Sequence, residues 1–267
     1  MSKTLSREDF AVAEFVFGSA QTFSHILECM NNIIDDVEMT IEHDGIRVRQ
    51  MDPSRVAMLD YVIGKEAFEE WMVHTSGKAC FNVSEALKQV PFKRVSKDTK
   101  VKVFIDGKDG KTTFTLIDTR IRKRTINLLE PRAEEHPVPK VTFKVQNKLL
   151  VATFIDDLED LKEKYDHVVF LADTDQLTVT GVSETGATFR NEYKRGGDIL
   201  LDHHVEEDSK TTYSLSYLTE FALSKKILKL CDVATLNWAT AMPLKVELHP
   251  PLPATLVHWL APRVDVE

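Results

Sequence analysis

Apolar positions recur along this chain with two periods, and the switch between them marks out its elements. Phe23, Ile26, Leu27, Met30, Ile33 and Ile34 follow the three-and-four spacing of one helix face. Ser24, His25, Glu28, Asn31 and Asn32 fall largely on the other side. The period then drops to two. Strands are predicted over 37–41 and 46–51, divided by Asp44-Gly45, and over 56–63. A second helix reads through Val83, Leu87, Val90 and Val95. Pro91 must break or kink it, because proline has no N–H to donate and its ring clashes with the preceding turn. Strands over 101–105 and 112–117 face each other across Gly107-Lys108-Asp109-Gly110, and another is expected over 124–129.

The composition then shifts. Residues 130–139 hold Pro131, Pro137 and Pro139 and have no amphipathic period, which predicts an extended, solvent-exposed connector. After it the plan repeats. Leu150, Val151, Phe154, Ile155, Leu158 and Leu161 predict a third helix, and Tyr217, Leu218, Phe221, Ala222 and Leu228 a fourth. Strands are expected over 167–172, 177–181 and 188–193, with an Asp-containing turn at 173–175, and over 233–238, 244–248 and 256–260. Helix, strands, helix, strands thus occurs twice, with a period of about 125–130 residues. Strands in hairpins imply antiparallel sheets with helices on one face, an α+β chain of two similar domains, 1–129 and 140–267, joined by 130–139.

Composition narrows the function classes. At 267 residues, 43% hydrophobic and 28% charged, the chain is of ordinary globular make-up. No apolar run approaches the ~20 residues needed to span a bilayer, so no membrane role is expected. The opening residues mix Lys3, Arg7, Glu8 and Asp9, unlike a signal peptide. Cys29, Cys80 and Cys231 are far apart and form no CxxC pair, so buried free thiols are expected, with no metal site and no cofactor. The formal net charge of −8 argues against nucleic acid as a partner unless the positive charge is gathered on one surface.

Several motifs, in order, carry a resemblance. Phe15-Val16-Phe17-Gly18-Ser19 precedes the first helix. Asp44-Gly45-Ile46 and Met51-Asp52-Pro53-Ser54-Arg55-Val56-Ala57 follow, then 127–141 with Val138-Pro139. Tyr213-Ser214-Leu215-Ser216-Tyr217-Leu218, Met242-Pro243-Leu244-Lys245-Val246-Glu247 and Leu260-Ala261-Pro262-Arg263-Val264 complete the series. From about residue 13 onward the chain resembles the DNA polymerase sliding clamps, the proliferating cell nuclear antigen (PCNA) family, in its archaeal type. The resemblance implies the DNA clamp fold, with two clamp domains per subunit and three subunits closed into a ring. Sheets would form the outside and helices the lining. It implies no catalysis. Such a ring encircles duplex DNA without reading its sequence, is opened by a clamp loader, and tethers DNA polymerase, flap endonuclease and DNA ligase through short PIP-box peptides. The work would be cytoplasmic at the nucleoid in an archaeon and nuclear in a eukaryote.

Carried over residue by residue, the partner-peptide pocket would be walled by Met51, Val138, Pro139, Pro243, Trp259, Ala261 and Pro262. Trp259 stands where the family often has another aromatic. The lining would present Lys88, Lys93 and Arg94 on or beside the second helix, Lys162 and Lys164 on the third, and Lys225, Lys226 and Lys229 on the polar side of the fourth. The chain departs from the pattern in two helices. Residues 22–34 contain no Lys or Arg, and the third helix carries Asp156, Asp157, Glu159, Asp160 and Glu163.

The edge segments expected at the subunit contact, 119–129 and 187–195, are both rich in charge. Arg120, Arg122, Lys123 and Arg124 lie on one, and Arg190, Glu192, Lys194 and Arg195 on the other. A ring of identical subunits and one with sister clamp subunits therefore both stand open. Two rivals remain. A damage-checkpoint or viral clamp shares the fold but usually loses the loop and tail motifs. Asp202-His203-His204 matches a run found in metal-dependent phosphoesterases, yet no DxD and no parallel βα plan accompany it, so a loop is expected there.

Overall fold

The first helix begins where its sequence supplies a cap. Ser19 Oγ accepts the Thr22 N–H at 3.1 Å, satisfying a donor that the first helical turn leaves open. The computed structural model describes residues 10–131, 136–182, 186 and 188–263. The middle of the expected connector (132–135), Ala187, Val264 and the opening residues 1–9 lie outside the described residues.

The described chain divides into two units. One comprises Met1–Met51, Leu59–Pro137 and Leu252–Thr255. The other comprises Asp52–Met58, Val138–Pro251 and Leu256–Glu267. The element order of the first half is β1 (Val12–Phe17), α1 (Ala20–Met30), β2 (Asp36–Glu42), β3 (Gly45–Met51), β4 (Ala57–Gly64), β5 (Glu70–Thr75), β6 (Gly77–Asn82), α2 (Val83–Gln89), β7 (Lys100–Asp106), β8 (Lys111–Ile117) and β9 (Ile121–Asn127). The second half runs β10 (Val145–Leu150), α3 (Val151–Lys162), β11 (His167–Ala172), β12 (Gln176–Val182), β13 (Thr188–Lys194), β14 (Leu200–Val205), β15 (Ser209–Ser214), α4 (Leu215–Tyr217), β16 (Val233–Trp238), β17 (Leu244–Leu248) and β18 (Ala254–Leu260). Among the described residues the two halves match element for element, and the sheet orders match as well. The order β5-β1-β7-β8-β9 corresponds to β14-β10-β16-β17-β18, and β4-β3-β2-β6 to β13-β12-β11-β15.

Helices back each sheet system. In the first unit Phe17, Phe23, Phe92 and Phe114 meet at ring-centroid distances of 5.8–6.5 Å between α1 and the strands. Each such buried ring stabilises the fold by about 1.5–3 kcal/mol. Asn82 caps α2 by accepting the Glu85 N–H at 2.7 Å. The helix stops ahead of Pro91, and the chain continues as a 3₁₀ turn at Phe92–Arg94. In the second unit α3 buries Val151, Phe154, Ile155, Leu158 and Leu161, the stripe that its sequence spacing predicts.

The structure corrects the sequence reading at several elements. β1, β5, β6, β10 and β15 were not anticipated, and β14 runs over Leu200–Val205 where a strand-like stretch is expected over 197–201. In β10 the inward positions are Val145, Asn147 and Leu149, and the polar Asn147 breaks the apolar alternation. Asp202-His203-His204 lies within β14 rather than in a loop. Asp202 and His204 are exposed and His203 is buried. The fourth helix is not a regular α-helix. Three residues of α4 pass into a π turn at Leu218–Ala222, and a separate 3₁₀ turn follows at Lys225–Lys229. Thr219 Oγ1 donates back to the Leu215 carbonyl at 2.8 Å, and the Leu223 N–H reaches the Leu218 carbonyl at 2.7 Å. Side-chain competition for these carbonyls loosens the α-helical ladder.

Candidate functional site

The segment Asp52-Pro53-Ser54-Arg55 folds as a turn organised by one carboxylate. Asp52 Oδ1 accepts the N–H groups of Val56 at 2.8 Å and Ala57 at 2.7 Å; Oδ2 accepts the Ser54 N–H at 3.1 Å. The Tyr217 hydroxyl donates to Oδ2 at 3.0 Å, pinning the turn to α4. Arg55 sits at φ +59°, a left-handed conformation that the surrounding bonds enforce. Asp52 is buried, so this acid is a fastener and not a reactive group.

The chain's tail lies along the same unit. The Ala261 N–H donates to the Val56 carbonyl at 2.8 Å, and the Arg263 N–H to the Thr212 carbonyl at 2.8 Å. β17 and β18 pair with Leu244 opposite Leu260, so Pro243 and Ala261 continue that register side by side. Ala261, Pro262, Pro243 and Pro139 are half-buried, and Val138 is exposed. Met242, named in the sequence motif but not among the expected pocket residues, is also exposed, and its carbonyl accepts the Tyr213 hydroxyl at 3.0 Å. Trp259 differs from these. Its ring is 5% exposed, lies 6.1 Å from the ring of Phe143, and has the Lys245 ammonium 5.8 Å above it. It supports the surface from beneath. Its Nε1 has no hydrogen-bond partner among the described residues. Met51 ends β3 in the other unit, half-buried.

The proposed lining residues sit on or beside the helical elements. Lys88 closes α2, Lys93 and Arg94 lie on the following turn, and Lys164 follows α3, all exposed. Two of the others are engaged by acids. Lys162 Nζ lies 2.8 Å from Glu220 Oε1, and Lys225 Nζ 3.6 Å from Asp156 Oδ1. Glu220 holds the Lys162 ammonium pKa above its usual value. Lys226 and Lys229 sit on the 3₁₀ turn, Lys226 half-buried and Lys229 exposed. On α3, Asp157 accepts the Tyr193 hydroxyl at 2.7 Å, so that acid serves the packing of the unit.

Comparison with known proteins agrees with this arrangement. The model for the PCNA N-terminal domain matches residues 12–129. The DNA polymerase sliding clamp of Thermofilum pendens is 27% identical over 95% of this chain and 100% of its own. Sliding clamp 1 of Pyrobaculum aerophilum is 26% identical over 92% and 96%. In fold, the PCNA of Thermococcus kodakaraensis matches with a TM-score of 0.86 at 20% identity, over 94% of this chain and 100% of that one. The PCNA2–PCNA3 complex of Sulfolobus tokodaii matches at 0.83 and 23%, over 94% and 99%. Along nearly its whole length the chain is thus similar to archaeal sliding clamps, and its first half matches the PCNA N-terminal domain.

In this chain the run that imitates a metal-enzyme motif has a structural use. His203 Nε2 donates to the Asp173 carbonyl at 2.7 Å, and Nδ1 accepts from Asn147 Nδ2 at 2.6 Å. Asn147 Oδ1 in turn accepts from Trp238 Nε1 at 3.0 Å. Both ring nitrogens of His203 are therefore committed to a buried network that fastens β14 to β10 and β16. Cys29, Cys80 and Cys231 are buried, and burial pushes the Cys231 pKa up to about 11. His258 is fully buried, stacks on Phe221 at 4.4 Å and donates from Nδ1 to the Ala222 carbonyl at 3.1 Å. Burial pushes its pKa down to about 4. Among the described residues no helix is long and apolar enough to cross a membrane.

Proposed function

We propose that this clamp closes with two further clamp subunits into a trimeric ring around duplex DNA, opened by a loader, and captures client enzymes without catalysing a reaction itself. DNA polymerase, flap endonuclease and DNA ligase are the expected clients, each bound through a short peptide. The observation that carries the reading is the tail. Residues 261–263 are held by backbone bonds to Val56 and Thr212, which fixes Pro243, Ala261 and Pro262 as a half-exposed apolar strip. A peptide that buries an aromatic on a preformed apolar strip gains affinity without ordering a large surface.

The test is fluorescence anisotropy with a labelled PIP-box peptide and the full chain. Binding at about micromolar strength or better, of order −8 kcal/mol, is expected. Replacing Ala261 by Asp should weaken it about tenfold or more, because the charge would be desolvated beneath the peptide. No binding by the wild-type chain at a hundred times that concentration would remove the client-tethering reading.

A further inference from the structure

Away from the strip, the second unit has a cavity of about 360 Å³ where β11, β12, β13 and β15 meet the turn between β16 and β17. Its floor is a row across the sheet, because Leu171 pairs with Lys210 on one side and with Thr178 on the other. Thr178 is 3% exposed and lines the cavity, yet its hydroxyl has no hydrogen-bond partner among the described residues. Nearly buried hydroxyls are ordinarily paired within the protein, so one left open to a cavity calls for a partner from outside.

Donors dominate the walls. Lys210 Nζ has no carboxylate partner among the described residues. Arg190 gives only its Nε to Glu192, at 2.6 Å, which leaves both Nη groups uncommitted. Thr240 Oγ1 accepts the Lys210 N–H at 3.3 Å and keeps its own proton to donate. Two acids also line the cavity. Asp173 is engaged: its Oδ1 accepts the N–H groups of Asp175 at 2.8 Å and Gln176 at 3.0 Å, and His203 holds its carbonyl. Asp208 is exposed. Two cations balanced by two acids suit a singly charged anion better than a phosphate, which carries about −1.5 to −2 at pH 7.

The cavity and the strip share one turn. Thr240 lines the cavity and Pro243 belongs to the strip, so the two are at most about 10 Å apart along the chain. Between them Ala241 sits at φ +55°, strained for a residue with a Cβ. Thr211 Oγ1 holds it there, accepting the Ala241 N–H at 3.0 Å and donating to the Ala239 carbonyl at 2.7 Å.

We propose that this cavity is a second subsite for client enzymes, taking an aspartate or glutamate side chain from the segment that flanks the peptide on the strip. The inference rests on the client-tethering reading and adds to it a charge requirement outside the apolar contact.

Fluorescence anisotropy with the full chain tests it. The labelled PIP-box core is compared with the same core carrying two glutamates just beyond its N-terminal end, and with one carrying them just beyond its C-terminal end. One of the extended peptides should bind about fivefold or more tightly than the core. Lys210→Gln with Arg190→Gln should remove that gain and leave core affinity unchanged. Thr178→Val should reduce the gain while the melting temperature stays level or rises, because the methyl replaces a hydroxyl that the chain does not pair. Thermal melts establish that each variant is folded. Phosphoserine in place of the glutamates should bind less tightly than glutamate. Core binding with no gain from either extension, or a gain that survives the double variant, would overturn the inference and leave the clamp reading intact. A wild-type chain that binds none of the peptides would overturn both. Tighter binding of the phosphoserine peptide would overturn the carboxylate assignment and give the cavity to phosphate.

Discussion

Asp52 shows how one side chain can hold a motif together. Its carboxylate accepts three backbone N–H groups and the Tyr217 hydroxyl. Asp52→Ala would leave those donors buried without an acceptor, at a cost of about 2–4 kcal/mol. The midpoint of urea unfolding should fall accordingly while peptide affinity of the folded fraction is retained. His258 makes a pH prediction. Its folded pKa is near 4 against an ordinary 6.5, so the unfolded chain takes up the proton first as pH falls. Stability is therefore unaffected by this group above about pH 6.5. Between 6.5 and 4 it drops by up to about 1.4 kcal/mol per pH unit. Urea unfolding of wild type and His258→Phe at pH 7 and pH 5 should show that the variant lacks this part of the slope. Trp259 is a poor site for an alanine test of peptide capture. It is buried, and Trp259→Ala should cost about 3–5 kcal/mol through the cavity it opens.

At the scale of elements, β10, β14 and β16 are joined by the Trp238–Asn147–His203–Asp173 chain of hydrogen bonds. His203→Ala should destabilise the protein by about 2–4 kcal/mol, since it leaves Asn147 and the Asp173 carbonyl short of a partner. Added manganese should neither rescue that loss nor shift the melting temperature of the wild type. The helical layer is governed by its acids. Lys162 and Lys225 are tied to Glu220 and Asp156, so these carboxylates weaken the positive potential of α3 and the turns after α4. Asp156→Asn with Glu220→Gln should raise duplex retention and steepen its fall with salt. Changing Lys225, Lys226 and Lys229 together to Ala should lower retention and flatten that dependence. Filter retention of a closed circular duplex across a salt series reads both.

For the molecule as a whole, duplication is the organising fact. One strand, a helix, five strands, a helix and three strands occur twice, with matching sheet orders. A net charge of −8 is compatible with DNA encirclement only if contact is local.

The amphipathic stripes of α1 and α3, the hairpins around Asp44-Gly45 and residues 107–110, and the closing strands could be read directly from the residues. Each depends on local periodicity and on turn chemistry confined to a few neighbouring positions. β10, most of β14 and β15 could not, because their inward positions hold Asn147, His203 and Thr211, and only partners far along the chain make those polar groups tolerable inside. The irregular path after α4 was hidden for the same reason, since Thr219 and His258 draw its carbonyls out of the helical ladder. The motif residues around Asp52 and Ala261 could be found by resemblance. Their common role, a turn and a tail pinned within one unit, is set by hydrogen bonds between distant segments, Tyr217 to Asp52 across 165 positions among them, which no local pattern records.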